Sequence, residues 1–368
     1  MEPTLIVVGG GVAGAAAALR AAQYLIPTVW IRGDRATAKA SRSAYVKNID
    51  NMIGVHPGIV KEKVVAALRE AHPEAAEAVA ALHLHISTQD LVDNAAARIR
   101  GEFGEYVEFV EESAVEAAAV DGGYRVRTGG GRTVEAPFLV LATGVMDRQP
   151  VVYKQRGERT LEGIHWLFPY ANQETLLYCI RCEGHLVRGR RVALIGAGVA
   201  TAEVALMVRE RYPSEVVVLT AGEPVGWDER RARLLAAEGI EVLEGRLVDV
   251  HGADKGATLH GFTLEDGTRV EVDMAFVSMG LFRVYNDLAV ALGARLEESD
   301  RPESERHVLV DTWGETSVPN LFAVGDMAAR EGEPMMKQVY TSQEYAVRAV
   351  DTVDRRRRGS RREALLSG

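Results

Sequence analysis

Six residues near the start of the chain, Gly9-Gly10-Gly11-Val12-Ala13-Gly14, restrict its fold more than any other stretch. They follow a short apolar run over 4–8 and precede the alanine-rich residues 12–23, after which residues 28–31 turn β-rich. Strand, glycine turn, helix and second strand make a βαβ unit, whose helix N-terminus can receive a phosphate. Gly9 permits the tight turn, Gly11 lets backbone approach a pyrophosphate, and Gly14 lets helix pack on strand, with Val12 and Ala13 in the same site. The second strand ends Ile31-Arg32-Gly33, so the acid expected on the ribose hydroxyls is Asp34, displaced just beyond it.

The same grammar recurs as a strand over 191–195, a helix over 199–210 and a strand over 215–220. Its turn, Gly196-Ala197-Gly198-Val199-Ala200-Thr201, has threonine in place of the third glycine. Gly196, Gly198 and Thr201 are expected to hold a second dinucleotide, the competing reading being a βαβ unit kept for structure alone. Downstream, Thr220-Ala221-Gly222-Glu223-Pro224 offers no arginine for a 2′-phosphate, and Glu223 would repel one. NADPH is disfavoured; NADH, another nucleotide or nothing stay open.

Strands are expected over 106–111, 124–128 and 133–142, separated by Asp121-Gly122-Gly123 and Gly129-Gly130-Gly131 turns. Residues 240–249, 257–264 and 269–278 repeat the pattern, giving each βαβ unit a small antiparallel sheet. Residues 73–104 are alanine-rich and helical by spacing, with no chemistry beyond packing.

With 368 residues the chain exceeds one ordinary core, and two domains follow. A composition 47% hydrophobic and 26% charged excludes a disordered or fibrous chain. The net charge of -9 opposes a nucleic-acid partner or an anionic membrane. The basic run 355–358, with Arg361 and Arg362, reads as a solvated tail. The apolar opening 5–22 lacks a basic leader and is glycine-rich in its middle, so no membrane span is expected and the cytoplasm is the expected compartment.

Only two cysteines occur, in Cys179-Ile180-Arg181-Cys182, too few for a disulfide framework or a four-ligand zinc site. The pair can close an intramolecular disulfide, and Arg181 adds positive charge. Half of a metal site completed by His185, or two inert core thiols, are the alternatives. Glu183 reads as an acid/base for a departing thiolate or as a surface glutamate. Residues 316–326 form a strand that delivers Gly325-Asp326, where a carboxylate preceded by glycine can approach a ribityl hydroxyl.

Taken together, these motifs and their order resemble the low-molecular-weight thioredoxin reductase-like flavoproteins over nearly the whole chain, most weakly over 35–104. The resemblance implies an α/β fold of two Rossmann-like, three-layer nucleotide-binding domains, the second inserted in the first and each with a small antiparallel sheet. An FAD domain would span 1–152 and 287–368, and a second nucleotide-binding-like domain carrying the cysteines would span 153–286. Cys182 precedes Gly196 by the family's spacing.

By the same resemblance Gly9, Gly11 and Gly14 hold the FAD pyrophosphate, Ala142-Thr143-Gly144 closes the first lobe, and Gly325-Asp326 meets the ribityl chain. Asn51 is similar to the family's flavin-side asparagine, and Gln338, with Val339 beside it, stands by the isoalloxazine, Lys337 matching only loosely. Cys182 would face the flavin and Cys179 exchange with a thioredoxin-like protein or a small-molecule dithiol/disulfide, in a homodimer. Glu183 replaces the family's aspartate, and His185 stands for an aromatic residue, as in related dithiol oxidases. The family's His-Arg-Arg phosphate clamp is missing after 216–219. Relatives without it include ferredoxin-fed reductases, oxygen-using dithiol oxidases and a diflavin-linked branch with a second FAD. A noncatalytic flavin redox sensor, or a flavin enzyme whose cysteines are incidental, also stays open.

Overall fold

Leu5, Ile6, Val7 and Val8 are apolar at every position, the pattern of a strand covered on both faces. They form β1 (Leu5–Val8), wholly buried at the centre of a parallel sheet. Its helix, α1 (Val12–Gln23), buries a face of small residues that includes Ala15, Ala17, Ala18, Ala21 and Ala22, so it lies close to the sheet. β2 (Thr28–Ile31) returns parallel to β1, with Leu5 opposite Thr28.

The structure is a computed structural model that describes residues 2–39, 41–49, 51–82 and 86–367. The chain divides into two units, one of Met1–Ala44, Gly54–Met146 and Arg283–Gly368, the other of Tyr45–Ile53 and Asp147–Phe282.

In the first unit the parallel sheet runs Leu321–Ala323, Phe138–Leu141, β1, β2, Val107–Val110. Trp30 on β2 is fully buried, tilted on Phe109 at 5.3 Å, and its indole N–H donates to the Gly9 carbonyl at 2.8 Å. The helices Thr88–Glu102 and Val339–Ser367 pack against α1. The first of these is started by a capping box in which Ser87 and Asp90 satisfy each other's amides. A three-stranded antiparallel sheet, Ala114–Val120, Gly123–Thr128 and Thr133–Ala136, completes the unit.

The second unit repeats the plan. Its parallel sheet runs Leu176–Leu177, Met274–Val277, β3 (Arg191–Ile195), β4 (Glu215–Leu219), Glu241–Leu243, and α2 (Val199–Arg211) joins β3 to β4. Its second sheet has five strands, mostly antiparallel, because the hairpin Val152–Arg156 and Arg159–Gly163 joins Leu247–Ala253, Thr258–Leu264 and Arg269–Glu271. The expected fold class of two α/β units with small antiparallel sheets is what the chain adopts.

Three expected strands are each broken in two. Residues 133–142 divide at Pro137, whose missing N–H ends the ladder, and the halves enter different sheets. Residues 240–249 divide around Gly245 at φ 127°, and residues 269–278 around Val272 and Asp273. The strand Ala114–Val120 and the hairpin after Val152 were not expected. Of the stretch 73–104, Pro73–Ala80 and Thr88–Glu102 are helical, and residues 83–85 lie outside the described residues.

The basic run is solvated, with Arg355, Arg357, Arg358, Arg361 and Arg362 exposed, and it is helical. It continues the helix Val339–Ser367, where Val353 is fully buried and the Arg356 guanidinium forks onto Glu315 at 2.5 and 2.6 Å. Apolar periodicity persists through Val353, so the helix is anchored into the start of the run. Among the described residues no helix is long and apolar enough to cross a membrane.

Candidate functional site

The first glycine turn connects β1 to α1. Gly9 has φ 130°, and a side chain there would sit 2.2 Å from the Ala142 carbonyl oxygen; one on Gly14 would sit 1.9 Å from the Gly9 oxygen. Gly11 differs, since a Cβ there would meet nothing nearer than the Ser43 hydroxyl at 4.0 Å. Gly11 is the N-cap of α1 and offers no side chain to cap the amides of the first turn. Val12 is half-buried and Ala13 buried in that turn.

Distant residues converge on this turn. Gly325, at φ 74°, packs on Ala13, so closely that a Cβ would stand 2.7 Å from the Ala13 methyl. The Asp326 carboxylate is thereby brought beside the helix start, 3.5 Å from the Arg42 guanidinium and 3.4 Å from the Ser342 hydroxyl that donates to it. Thr143 donates to the Tyr285 carbonyl at 2.5 Å, and Gly144 follows at φ 72°. Gln338 is buried at the entrance to the last helix, its side-chain amide donating to the Lys337 carbonyl at 2.8 Å, and Val339 begins that helix. Gly325, Asp326, Lys337 and Ser342 line one recess.

Asp34 lies three residues past the end of β2, and its oxygens serve the local chain. One accepts the amides of Ala36 and Thr37 at 2.9 Å each, the other the Ser113 hydroxyl at 2.7 Å. These hydrogen bonds, the Thr37 amide foremost, hold its pKa down to about 2. Asn51 is exposed in a turn of the segment Tyr45–Ile53, which belongs to the second unit.

In the second unit Cys179 and Cys182 are joined in a disulfide, with Cα atoms 5.2 Å apart. Cys179 is the N-cap of the helix Ile180–Glu183, and its sulfur accepts the Cys182 amide at 3.2 Å. Glu183 is not a surface residue: at 2% exposure it turns back, and one carboxylate oxygen accepts the amides of Tyr178 and Cys179 at 3.0 and 2.9 Å. His185 is exposed on the following turn, Gly184–Val187.

A polar cluster gathers on Tyr178, the residue before Cys179. The Tyr178 hydroxyl donates to Gln149 at 2.6 Å, its ring lies 4.6 Å from that of Tyr45, and the Tyr45 hydroxyl donates to Asp147 at 3.0 Å. Burial, then Asp147 and Glu183, push the Tyr178 phenol far above its usual range, so it stays protonated. The one signal of this cluster in the sequence is the adjacency of Tyr178 to Cys179.

The second glycine turn has the same form. Gly196, at φ 146°, leaves no room for a side chain, which would stand 2.6 Å from the Thr201 hydroxyl and 2.7 Å from the Ser278 oxygen. Thr201 takes up the volume of the missing glycine contact by donating to that Ser278 carbonyl at 2.7 Å. Gly198 caps α2 with nothing within 4 Å of a would-be Cβ. Glu223 lies past β4, 3.6 Å from the Arg148 guanidinium.

A family model described as pyridine nucleotide-disulphide oxidoreductase matches residues 3–348. The F component of alkyl hydroperoxide reductase from Pseudomonas putida is 28% identical over 330 residues, covering 88% of this chain and 53% of that protein. The biphenyl dioxygenase system ferredoxin–NAD(+) reductase component of Paraburkholderia xenovorans is 31% identical over 215 residues, 55% of this chain and 47% of its own length. The chain spans about half the length of the curated relatives it matches. Among solved structures, HlmI superposes with a TM-score of 0.71 at 20% identity, covering 100% of this chain and 98% of that one. Thioredoxin reductase from Streptococcus pyogenes gives 0.69 at 17% identity, with 95% and 96% covered. At these identities the two structures establish the fold.

Proposed function

The chain belongs to the pyridine nucleotide-disulphide oxidoreductase family, and on that premise we propose an FAD-dependent dithiol/disulfide oxidoreductase of thioredoxin reductase type. It passes electron pairs between flavin, the Cys179/Cys182 pair and a disulfide partner, a thioredoxin-like protein or a small molecule. The observation that carries this reading is the disulfide itself, capping a short helix whose Glu183 carboxylate is buried and accepts the two amides that precede the helix.

The first unit suits FAD. Gly9 and Gly14 are places a side chain cannot enter, and Gly11 leaves the N-terminus of α1 open. The backbone of Gly11, Val12 and Ala13 would take the pyrophosphate, Asp326 a ribityl hydroxyl, and Ala142, Thr143, Gly144 and Gln338 would close the site. When bound, FAD supplies a two-electron donor and acceptor.

Written in the reducing direction, the Cys179 thiolate attacks one sulfur of the partner's disulfide and expels the other as a thiolate. The Cys182 thiolate then attacks the Cys179 sulfur, the mixed disulfide breaks, and the second partner thiolate leaves. The protons that Cys179 and Cys182 release end on the partner's two sulfurs by way of water. The partner gains two electrons and two protons, and the Cys179–Cys182 disulfide is restored. Electron exchange with flavin requires the pair and the isoalloxazine to meet at some stage of turnover.

Anaerobic reductive titration tests this. The purified chain should be yellow and take up two electron pairs, one on flavin and one on the disulfide, while Cys182→Ser takes up one and loses dithiol exchange. A colourless chain, or a Cys182→Ser protein exchanging dithiols at the parental rate, would overturn the proposal.

A further inference from the structure

Past Val353 the last helix leaves the core, and from 354 to 367 none of its residues is buried. About 20 Å of helix therefore extends beyond the apolar contacts that anchor it. Residues 355–367 hold six arginines and one acid, so a chain of net charge -9 is an arm of +5 on a body of -14. Arg356 is taken up by Glu315, and the Arg355 guanidinium lies 5.0 Å from the centre of the Trp313 ring. Arg358 pairs with Asp354 one turn back at 2.7 Å. Arg357, Arg361 and Arg362 are exposed and make no ion pair among the described residues. At about 3.6 residues per turn, Arg358, Arg361, Arg362, Leu365 and Leu366 fall on one side of the helix. Leu365 is 73% exposed and Leu366 89%. Arg357 and Arg361, like Arg358 and Arg362, stand four residues apart, where like charges repel and weaken a helix. The arm thus keeps a repulsion that a bound anionic surface relieves.

Its pattern fits one class of anionic partner. A helix that lies in a lipid surface needs an apolar stripe along its length, and here the apolar residues of that side are confined to 365 and 366. A nucleic-acid backbone gives two leucines nothing to bury against. Both are extended polyanions that would also meet the acidic body. A compact acidic protein need meet only the arm, since the charge of the body is screened over about 8 Å at physiological salt. We propose that 357–367 is a docking helix for an acidic protein, whose carboxylates take Arg361 and Arg362 and whose apolar spot takes Leu365 and Leu366. The assignment goes beyond the dithiol reading and stands independently of it.

Fluorescence anisotropy tests it on the full-length protein, with a labelled helical peptide that carries glutamate on one side and leucine on the other. Leucine-free polyglutamate, phosphatidylglycerol vesicles and duplex DNA are the comparison probes. The parent should bind the mixed peptide about tenfold or more tightly than polyglutamate, with an affinity that falls as salt rises. Arg361→Gln with Arg362→Gln should weaken both peptides about tenfold, and Leu365→Ser with Leu366→Ser should remove the difference between them. Both double variants should melt with the parent, because no contact with the core is lost. An altered melt would mean that the arm packs on the fold, and would overturn the proposal. So would a parent that does not bind the mixed peptide, or one that binds the vesicles or the duplex more tightly.

Discussion

Gly11 and Gly14 stand three residues apart and answer to different constraints. A methyl on Gly14 collides with the Gly9 oxygen, so Gly14→Ala should destabilise the flavin-free protein by about 1–3 kcal/mol, read from its urea unfolding. A methyl on Gly11 collides with nothing, and its backbone at φ -84° suits alanine. Gly11→Ala should therefore leave that stability unchanged and lower the amount of FAD retained on purification. His307 carries a second residue-scale consequence. Burial, and then Lys337, hold its pKa down to about 4 against the opposing pull of Glu297, whose carboxylate lies 2.7 Å from Nδ1. The unfolded chain takes up this proton near pH 6.5 while the native protein does not until about 4. Its stabilising contribution, about 3 kcal/mol, is thus complete above about pH 6.5 and lost as the pH falls toward 4. Urea unfolding at both ends of that window should show the loss in the parent, and His307→Gln should flatten it.

At the scale of elements, the short helix Ile180–Glu183 cannot hold itself together, and its support comes from Glu183 turning back on the amides before it. Glu183→Ala would leave two buried N–H groups without this acceptor, at a cost of about 3 kcal/mol, whereas Glu183→Gln keeps an acceptor and should cost about 1 kcal/mol. Thermal melts of the oxidised proteins would order the three forms, and a Glu183→Ala protein as stable as its parent would show that the contact is incidental. The sequence disclosed β1, α1 and β2 to within a residue, because apolar runs there end at glycines and the helical spacing is uninterrupted. It did not disclose the corners at Pro137 and Gly245, since the apolar pattern continues where a strand leaves one sheet and another begins in the next. The paired cysteines and glycine turns were legible as local patterns. Arg42 on Asp326, Arg148 on Glu223 and Tyr45 on Tyr178 were not, because each joins residues far apart in sequence with no local mark on either.

For the whole molecule, the two units have unequal claims on the chain. The unit with the cysteines is assembled from 147–282 and from the earlier segment Tyr45–Ile53, whose Tyr45 packs on Tyr178 and whose hydroxyl binds Asp147. Tyr45 is 5% exposed, so Tyr45→Ala should cost about 3 kcal/mol. Differential hydrogen exchange should place that loss in the unit with the cysteines, leaving protection of β1 and its neighbours unchanged. Equal loss in both would mean that the two unfold as one.

That borrowed segment also bears on how such proteins can be recombined. The lobe bearing the disulfide is not a cassette, because a gene exchange that moved 147–282 in one piece would strand the aromatic partner of Tyr178 in the donor. Chimaeras spliced only at the two obvious junctions should inherit a loosened dithiol centre, and functional ones should carry a matching 45–53.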